Sequence, residues 1–302
     1  MDSTVSRCHH SVMSSSDWRQ QGDLRRVGRH DLFYVDTGGD KPVLLILHGY
    51  PTSSHDYWRA LPILAERYRV IIHDHLGFGF SDKPRDYSYS LVDQADHAIK
   101  LWRDLGVVEA DLLGHDYGSS VATEIVARHN FGSDPIQLRS LTLCNGSMHI
   151  ELANLRVVQR LLKAPVLGPV FARLSSQRLF RHNMRNLFVE RSFLEDAELE
   201  TMWNQLVGGG GRDVLSAVTG FIDERYRLWH RWIGALRVTD LPVHIVWARQ
   251  DPVAVEKMAH VLHDEIPNSD LRLLDGVGHF PMIEATERWC DAVMDALSSG
   301  ST

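Results

Sequence analysis

The sequence predicts an α/β fold with a mostly parallel central sheet, helices on both faces of the sheet, and an inserted helical cap. Strand-like and helix-like segments alternate between about residues 31 and 146, which is the pattern of consecutive βαβ units. The run "VLLIL" (Val43 to Leu47) is continuously apolar, as expected for a strand buried on both faces. The alternation stops at about residue 147 and resumes after residue 236.

Each segment of the first half has a local reason for its predicted state. The segment "DLFYVDTGG" alternates apolar and polar residues and ends in a Gly-Gly turn, which indicates a strand. The segment "SLVDQADHAIKLWRDLGV" has apolar residues near helical spacing, with Ser90 as a predicted N-cap and Gly106 as a stop. The predicted strands here are 31–39, 41–49, 68–75, 110–116 and 138–146, and the predicted helices are 90–107 and 117–130.

The chain changes character between residues 147 and 236, where Leu, Arg and Phe dominate and helical periods recur. The glycine run "VGGGG" (207–211) predicts a flexible loop within this part. Strands at 241–251 and 270–279 and helices at 253–266 and 285–297 follow it. We therefore expect a core of residues 17–146 and 237–302, a helical cap of residues 147–236 over the active site, and a serine-rich disordered tail of residues 1–16.

Composition argues against several classes of function. A chain of 302 residues suffices for one large α/β domain with an inserted subdomain. The formal net charge of −7 gives no electrostatic case for binding nucleic acid or an anionic membrane. No apolar run approaches the roughly 20 residues that span a bilayer, and the tail lacks the apolar stretch of a signal peptide.

Cysteine and histidine content predicts the compartment and the absence of a metal. The three cysteines are odd in number and far apart, which favours a reducing compartment, so we expect a cytoplasmic protein. The triplet "HDH" (73–75) raises the question of a metal site, but no second cluster has ligand spacing. Neither a metal nor another cofactor is expected.

The stretch "LLGHDYGSS" (112–120) has the outline of a nucleophile elbow, G-x-S-x-G, with Asp116 at the serine position. It lies between a predicted strand and a predicted helix, as an elbow requires. Gly114 and Gly118 permit a sharp turn and a close helix approach. The backbone N–H of Tyr117, at the helix N-terminus, can stabilise developing negative charge. Taken alone, the pattern also fits an aspartate N-cap.

Three further features favour the catalytic interpretation. The motif "HGYP" (48–51) follows a buried strand at the place where a second oxyanion N–H is supplied, here that of Tyr50, and its proline predicts a fixed turn. Asp251 and His279 each follow a later predicted strand. Each residue alone is commonly a turn residue, but the order Asp116, Asp251, His279 is nucleophile, acid and histidine.

With these residues in place, the chain resembles the α/β-hydrolase superfamily, and within it the epoxide hydrolase and haloalkane dehalogenase branch. The motif "DHLGFGFSDKP" (74–84) is a further signature of that branch. The motifs "HGYPTSS", "LGFGFSDKP", "HDYG" and "RWIGAL" are similar to those of the mesoderm-specific transcript protein family. The resemblance covers about residue 24 to the C-terminus. In some relatives the acid follows the sixth strand, where this chain has Asn145, and this supports Asp251 as the acid.

An aspartate at the elbow suits a particular chemistry. A carboxylate that attacks an sp³ carbon forms an ester, which a histidine-activated water can hydrolyse with help from an oxyanion hole. A serine would form an alkyl ether, which water does not readily cleave. We therefore expect Asp116 to be the nucleophile, His279 the general base, and Asp251 the residue that orients His279. The expected oxyanion donors are the N–H groups of Tyr50 and Tyr117.

The resemblance leaves the substrate class open. Epoxide hydrolases of this branch usually polarise the ring oxygen with two cap tyrosines, whereas here Tyr226 is the one cap tyrosine and Phe221 matches the second position. Haloalkane dehalogenases usually have a tryptophan after the nucleophile, where Tyr117 stands, and fluoroacetate-type enzymes an arginine. The expected substrate-binding residues are His48, Tyr226 and Trp203.

The favoured function is epoxide-hydrolase-like, because a tyrosine phenol can donate to an alkoxide. The alternatives are a haloalkane dehalogenase, an ester or lactone hydrolase, and a non-catalytic binding protein with a hydrolase fold. The expected partners are a small apolar organic substrate and water, with no nucleic acid and no membrane span, and a homo-oligomer remains open.

Overall fold

The computed structural model describes residues 12–132 and 136–299, which form a single sheet covered by helices. The strands are β1 (Asp23–Val27), β2 (His30–Asp36), β3 (Val43–Leu47), β4 (Arg69–His73), β5 (Glu109–His115), β6 (Gln137–Cys144), β7 (Val243–Ala248) and β8 (Ser269–Leu274). Their order across the sheet is β1-β2-β4-β3-β5-β6-β7-β8. The pairs that involve β2 are antiparallel and every other pair is parallel, so the predicted fold class is confirmed.

Helices precede the sheet, connect its strands, and form the long insertion after β6. They are α1 (Ser15–Gln20), α2 (Ala60–Leu64), α3 (Leu91–Asp104), α4 (Tyr117–Asn130), α5 (Val157–Leu162), α6 (Leu167–Leu174), α7 (Gln177–Arg185), α8 (Asp196–Val207), α9 (Gly211–Val218), α10 (Phe221–Arg227), α11 (Trp229–Val238), α12 (Glu256–Glu265), α13 (Pro281–Glu284) and α14 (Thr286–Ser299). Among the described residues, no helix is long and apolar enough to cross a membrane.

The apolar runs of the central strands supply both faces of the sheet. Side chains of a strand alternate between faces, so Leu45 joins the apolar cluster that contains Trp102 of α3. Its neighbour Ile46 joins the cluster on the other face, which contains Trp289 of α14. Because both faces are buried, the sheet is a rigid base from which the loops at its carboxyl edge project.

The parallel strands bring the predicted site residues to one edge. The carboxyl ends of β3, β5, β7 and β8 lie together, and the insertion after β6 covers them. Its last helix, α11, packs on core helix α4, where the indole N–H of Trp232 donates to Glu124 at 2.9 Å. Because α11 packs on α4, it belongs structurally to the core. The predicted end of the cap, residue 236, therefore lies inside a core helix.

The structure differs from the sequence-based expectations at three places. Residues 1–11 of the predicted disordered tail lie outside the described residues, but Ser14 caps α1 through a hydrogen bond from the N–H of Asp17, so the end of the serine run is a helix start. Within "VGGGG", residues 208–210 form a short 3₁₀ turn and Gly211 begins α9, so this run is not a long loop. The edge strand β1 was not expected, because its sequence "DLRRV" is mostly exposed and polar.

Candidate active site

Asp116 lies at a sharp turn between β5 and α4. Its φ of 44° and ψ of −105° place a non-glycine residue at positive φ, a costly conformation that occurs at nucleophile elbows. The turn depends on close approach: a Cβ on Gly118 would lie 2.1 Å from the carbonyl oxygen of Leu47, and one on Gly114 would lie 2.7 Å from the carbonyl oxygen of Gly118. The two glycines therefore allow α4 to approach β3 and β5, and the turn holds the Asp116 carboxylate at the sheet edge.

The loop after β3 supplies a hydrogen-bond donor to this carboxylate. The backbone N–H of Tyr50 donates to Oδ2 of Asp116 at 3.0 Å, and the Tyr50–Pro51 peptide bond is cis. The other expected donor, the N–H of Tyr117, belongs to the first residue of α4. The N–H of Tyr50 already contacts the oxygen that would become an ester carbonyl, which is the position of an oxyanion donor.

His279 lies between the two aspartates that the sequence analysis selected. Its Nδ1 is 2.7 Å from Oδ2 of Asp251, and its Nε2 is 3.9 Å from Oδ2 of Asp116. All three side chains are buried. The structure thus brings Asp116, Asp251 and His279 together in the geometry of a nucleophile, a base and the acid that orients the base.

Asn145, at the end of β6, hydrogen-bonds to Asp251, the predicted acid. Its side-chain amide N–H donates to Oδ2 of Asp251 at 2.8 Å, and its amide oxygen accepts from the N–H of Ala248 at 3.0 Å. The second carboxylate oxygen of Asp251 accepts the N–H groups of Val253 and Ala254. Asn145 therefore supports the acid from the sixth strand without supplying a second carboxylate.

Arg225 of α10 is a further charged residue at the site, and the sequence analysis did not select it. Its guanidinium is 2 % exposed, donates to the backbone oxygen of Asp116 at 2.9 Å, and lies 3.4 Å from Oδ1 of the same residue. Its Nε donates to Ser120 at 2.8 Å, and its guanidinium stacks on the ring of Phe221. Arg225 is four residues after Phe221 and therefore lies on the same helix face. Because Phe221 matches a site position of the family, this spacing could have pointed to Arg225 as a further site residue.

The charges around Asp116 and His279 shift both groups towards their ionised forms. Burial opposes ionisation of Asp116, but the nearby His279 and the positive charge of Arg225 outweigh burial and lower the pKa of the carboxyl. Burial likewise opposes protonation of His279, but the charges of Asp251 and Asp116 raise its pKa to about 10. At neutral pH the resting site therefore holds an ionised Asp116 beside a protonated His279.

A cavity of about 810 Å³, part of which is open to solvent, lies over these residues, between the core and the cap. Tyr50, Asp116 and His279 contribute to its wall beside many apolar cap side chains, including Trp203. Burial and the charge of Asp116 raise the pKa of Tyr50, so its phenol stays protonated and can act as a donor. Such a cavity suits a mainly apolar ligand that presents one polar group to Asp116 and Tyr50.

Other predicted substrate-binding residues lie away from this cavity. His48 is fully buried behind the loop, where its Nε2 accepts the N–H of His75 at 3.0 Å, and it does not line the cavity. Tyr226 is 53 % exposed because, one residue after the inward-pointing Arg225, it faces solvent. The phenol ring of Tyr117 packs against Phe78 and Phe221 below the cavity. The positions of His48 and Tyr226 do not match the expected substrate contacts.

The "HDH" triplet joins two loops of the core. Asp74 accepts the N–H groups of Ser54 at 2.8 Å and Phe80 at 2.7 Å. His73 and His75 are buried, and burial lowers the pKa of His73 to about 3. In the described part of the chain, no group of three or more His, Cys, Asp or Glu residues could hold a metal ion. The triplet therefore positions the loop that carries Tyr50.

Comparison with known proteins places the chain in a family. A family model described as the alpha/beta hydrolase fold matches residues 42–286. The chain belongs to the α/β-hydrolase family. LipZ of Mycobacterium tuberculosis, a protein named as a hydrolase, is 36% identical over 284 residues, which are 94% of this chain and 98% of LipZ.

One further relative and one solved structure match nearly the whole chain. The human mesoderm-specific transcript homolog protein is 32% identical over 292 residues, which cover 93% of this chain and 87% of the relative, so the predicted resemblance to that family is confirmed. The crystal structure of Cfl2 from Burkholderia cenocepacia superposes with a TM-score of 0.79 at 20% identity and covers 91% of this chain and 94% of Cfl2. The two relatives of 30% identity or more, LipZ and the mesoderm-specific transcript homolog protein, thus match this chain over nearly its whole length.

Proposed function

We propose that this α/β-hydrolase uses Asp116 as a nucleophile against an electrophilic sp³ carbon, and that its activity is epoxide-hydrolase-like. The observation that carries the proposal is the arrangement around the carboxylate: Oδ2 of Asp116 accepts the N–H of Tyr50 and lies 3.9 Å from Nε2 of His279. A serine hydrolase places a hydroxyl at this position, whereas here the nucleophile is an ionised carboxylate.

In the first step, one carboxylate oxygen of Asp116 forms a bond to the ring carbon, and the ring C–O bond breaks to leave an alkoxide. The other carboxylate oxygen becomes the ester carbonyl and keeps the N–H of Tyr50 as its donor. The phenol of Tyr50, which lines the same cavity, can donate to the leaving oxygen. This replaces the cap tyrosines of related epoxide hydrolases with a tyrosine from the oxyanion loop.

In the second step, His279 removes a proton from water, and the hydroxide attacks the carbonyl carbon of the ester. The tetrahedral oxyanion is stabilised by the N–H groups of Tyr50 and Tyr117. The C–O bond between the carbonyl carbon and the alkyl oxygen then breaks, which releases a diol and restores the Asp116 carboxylate. Alkylation also removes the negative charge of Asp116, one of the charges that raise the pKa of His279, and so makes His279 a neutral base more easily.

Proton balance favours an epoxide over an alkyl halide. Since the pKa of His279 is raised to about 10, the resting histidine carries a proton that it must lose before it acts as a base. The alkoxide from an epoxide needs one proton, and His279 can supply it through Tyr50 or water. A halide leaves without a proton, so the histidine would have to lose its proton to solvent.

A haloalkane dehalogenase is the second candidate, because Trp203 lines the cavity. An indole N–H on the wall of an apolar cavity can stabilise a leaving halide. The position after Asp116, where haloalkane dehalogenases usually have a tryptophan, holds Tyr117, which makes this function the weaker candidate.

The test is to trap the ester. His279→Gln removes the base, so an alkyl-enzyme ester on Asp116 should accumulate when the variant meets a panel of apolar epoxides and alkyl halides. Intact-protein mass spectrometry distinguishes the classes, because an epoxide adds its whole mass and an alkyl halide adds its mass less that of one hydrogen halide. Asp116→Asn in the same background is the control and should give no adduct. Absence of any adduct across both panels would contradict the proposal.

A further inference from the structure

The part of the cap that covers the cavity has an unusual charge composition for this protein. Between Glu151 and Glu190 there is no acidic residue, although Asp and Glu outnumber Lys and Arg by 39 to 32 over the whole chain. The same stretch contains seven basic residues: Arg156, Arg160, Lys163, Arg173, Arg178, Arg181 and Arg185. Arg160 and Arg178 are exposed and make no ion pair with another described residue, whereas four of the others pair with acidic residues outside the stretch: Lys163 with Asp223, Arg173 with Asp213, and Arg181 and Arg185 with Asp196. The average charge of the chain therefore does not reveal that this part of the cap exposes unpaired cations, Arg160 and Arg178.

The same stretch exposes large apolar side chains. Eight of the thirteen exposed large apolar side chains in the described part of the chain lie within it: Val157, Leu161, Val166, Leu167, Val170, Leu174, Leu179 and Val189. On α6, Leu167, Val170 and Leu174 follow one another at three- and four-residue spacing and form a stripe on the outer face. A concentration of apolar side chains on the surface of a soluble domain usually marks an interaction site.

This surface adjoins the cavity of the candidate active site. The opposite faces of the same helices line the cavity through Val158, Leu162 and Phe171, so α5 and α6 are apolar on both sides. Leu179 lines the cavity and is also 39 % exposed, and so it connects the cavity to the outer surface. We define the outer cap face as residues 157–179.

We propose that the outer cap face binds the surface of an anionic lipid membrane. Basic residues interleaved with exposed apolar ones on helices that lie flat on the fold match the chemistry of an interfacial membrane contact, in which apolar side chains enter the acyl boundary and cations meet lipid phosphates. The cavity would then open beside the bilayer, where apolar compounds are concentrated. Only this last consequence rests on the proposed function, because the docking itself needs no catalysis.

The charge of the outer cap face favours an anionic membrane over a second copy of the chain as its binding partner. Two outer cap faces packed against each other would bring together the unpaired Arg160 and Arg178 of both copies, and residues 157–179 contain no acidic residue that could pair with them. Like charges across an interface oppose association. An anionic membrane surface supplies the negative charge that the face lacks.

The experiment measures binding to vesicles by flotation, using the full chain. Vesicles of phosphatidylcholine mixed with phosphatidylglycerol should bind the wild type, and vesicles of phosphatidylcholine alone should bind it at least about tenfold more weakly. The triple change Leu167→Glu, Val170→Glu and Leu174→Glu should lower binding to the anionic vesicles by about tenfold or more. The double change Arg160→Gln and Arg178→Gln should weaken binding to anionic vesicles and leave the weak binding to neutral ones unchanged.

Matched controls lie at the opposite edge of the sheet. Val108→Glu and Phe131→Glu change exposed apolar residues that precede β5 and follow α4, far from the cap, and should bind like the wild type. Asp116→Asn should also bind like the wild type, which separates docking from catalysis. Equal binding to both vesicle types, or unchanged binding of the triple variant with its thermal unfolding intact, would overturn the proposal. Concentration-dependent dimerisation that the triple variant abolishes, without vesicle binding, would overturn it in favour of self-association.

Discussion

At the residue scale, burial and neighbouring charges have opposite effects on the ionisation of two side chains in the site. Asp116 and His279 are both buried, which disfavours their charged forms, yet each is ionised because it faces the other and a second partner. For Asp116 the second partner is Arg225, and for His279 it is Asp251. The carboxylate of Asp116, the proposed nucleophile, is therefore held in its ionised form by residues that come from separated parts of the chain.

Arg225 supports the ionised form of Asp116 without lining the cavity. We expect Arg225→Met to raise the pKa of Asp116, because a buried positive charge near the carboxylate is lost. The acid limb of the kcat/KM profile should move to higher pH by about one pH unit or more. Arg225→Lys keeps a charge and should restore part of the shift, which a purely structural role would not produce. An unchanged acid limb in the Met variant would show that Arg225 does not act on Asp116.

The raised pKa of His279 also affects stability. The folded pKa of about 10 exceeds the ordinary value of 6.5, so the stability that protonation contributes is fully present below about pH 6.5 and is lost as pH rises towards 10. The wild-type Tm should therefore fall across this range, and the Tm of His279→Gln should fall less. Thermal unfolding monitored by circular dichroism at several pH values tests this. Parallel declines in the two proteins would contradict the assigned cause.

Residues at the ends of strands could be predicted from the sequence, whereas residues brought in by the cap could not. Asp116, Asp251 and His279 each follow a strand, and parallel strands end at the same edge, so their order in the chain was informative. Arg225 reaches Asp116 only because α10 lies over the elbow. The periodicity of a sequence predicts that a cap helix forms but not where that helix packs. Tyr226 was selected for its chemistry, but the phase of α10 turns it outward.

At the element scale, the elbow depends on close contact between α4 and β3. Gly118→Ala would place a Cβ 2.1 Å from the carbonyl oxygen of Leu47, a backbone atom that cannot easily move. We expect a loss of about 3 kcal/mol or more in the free energy of unfolding. The matched control is Gly234→Ala in α11, where a Cβ meets nothing within 4 Å and which should stabilise the helix by roughly 0.5–1 kcal/mol. Chemical denaturation of both variants tests the contrast; a Gly118→Ala protein as stable as the wild type would mean that the elbow is looser than described.

Strands of the core were predictable because burial on both faces leaves a continuous apolar run, as in β3 and β4. The edge strand β1 was missed, since only Val27 of its five residues is buried. The serine run before α1 was misjudged because serine is common in disordered tails and is also a preferred N-cap.

At the scale of the whole molecule, an ion pair between Arg59 of the core and the buried Glu198 of the cap connects the two parts. Glu198 of α8 is fully buried, and its Oε2 accepts from Nη2 of Arg59 at 3.0 Å, while Trp58 donates to its Oε1 at 3.3 Å. Arg59→Ala would leave this carboxylate buried without its cation, and we expect a loss of about 3–5 kcal/mol. Arg26→Ala, which breaks an exposed pair with Asp31, should change stability by less than about 1 kcal/mol. Equal effects in urea unfolding would show that the cap is not held by this pair.

Whole-chain averages indicate the class of molecule but not how charge is distributed over its surface. The net charge of −7 predicted no attraction to an anionic membrane, yet the cap stretch between Glu151 and Glu190 contains seven basic residues and no acidic one. The fold places this stretch over the cavity that Asp116 and His279 line.

The measurement that tests the covalent mechanism most directly is oxygen transfer from the enzyme. With a substrate identified by ester trapping, the wild type is allowed to turn over repeatedly in ¹⁸O-labelled water, and the peptide that contains Asp116 is then analysed by mass spectrometry. If water attacks the carbonyl carbon of an Asp116 ester, this peptide gains heavy oxygen, and the first product molecule carries an unlabelled oxygen from the carboxylate. An unlabelled Asp116 peptide together with labelled first-turnover product would mean that water attacks the substrate directly, and would contradict nucleophilic catalysis by Asp116.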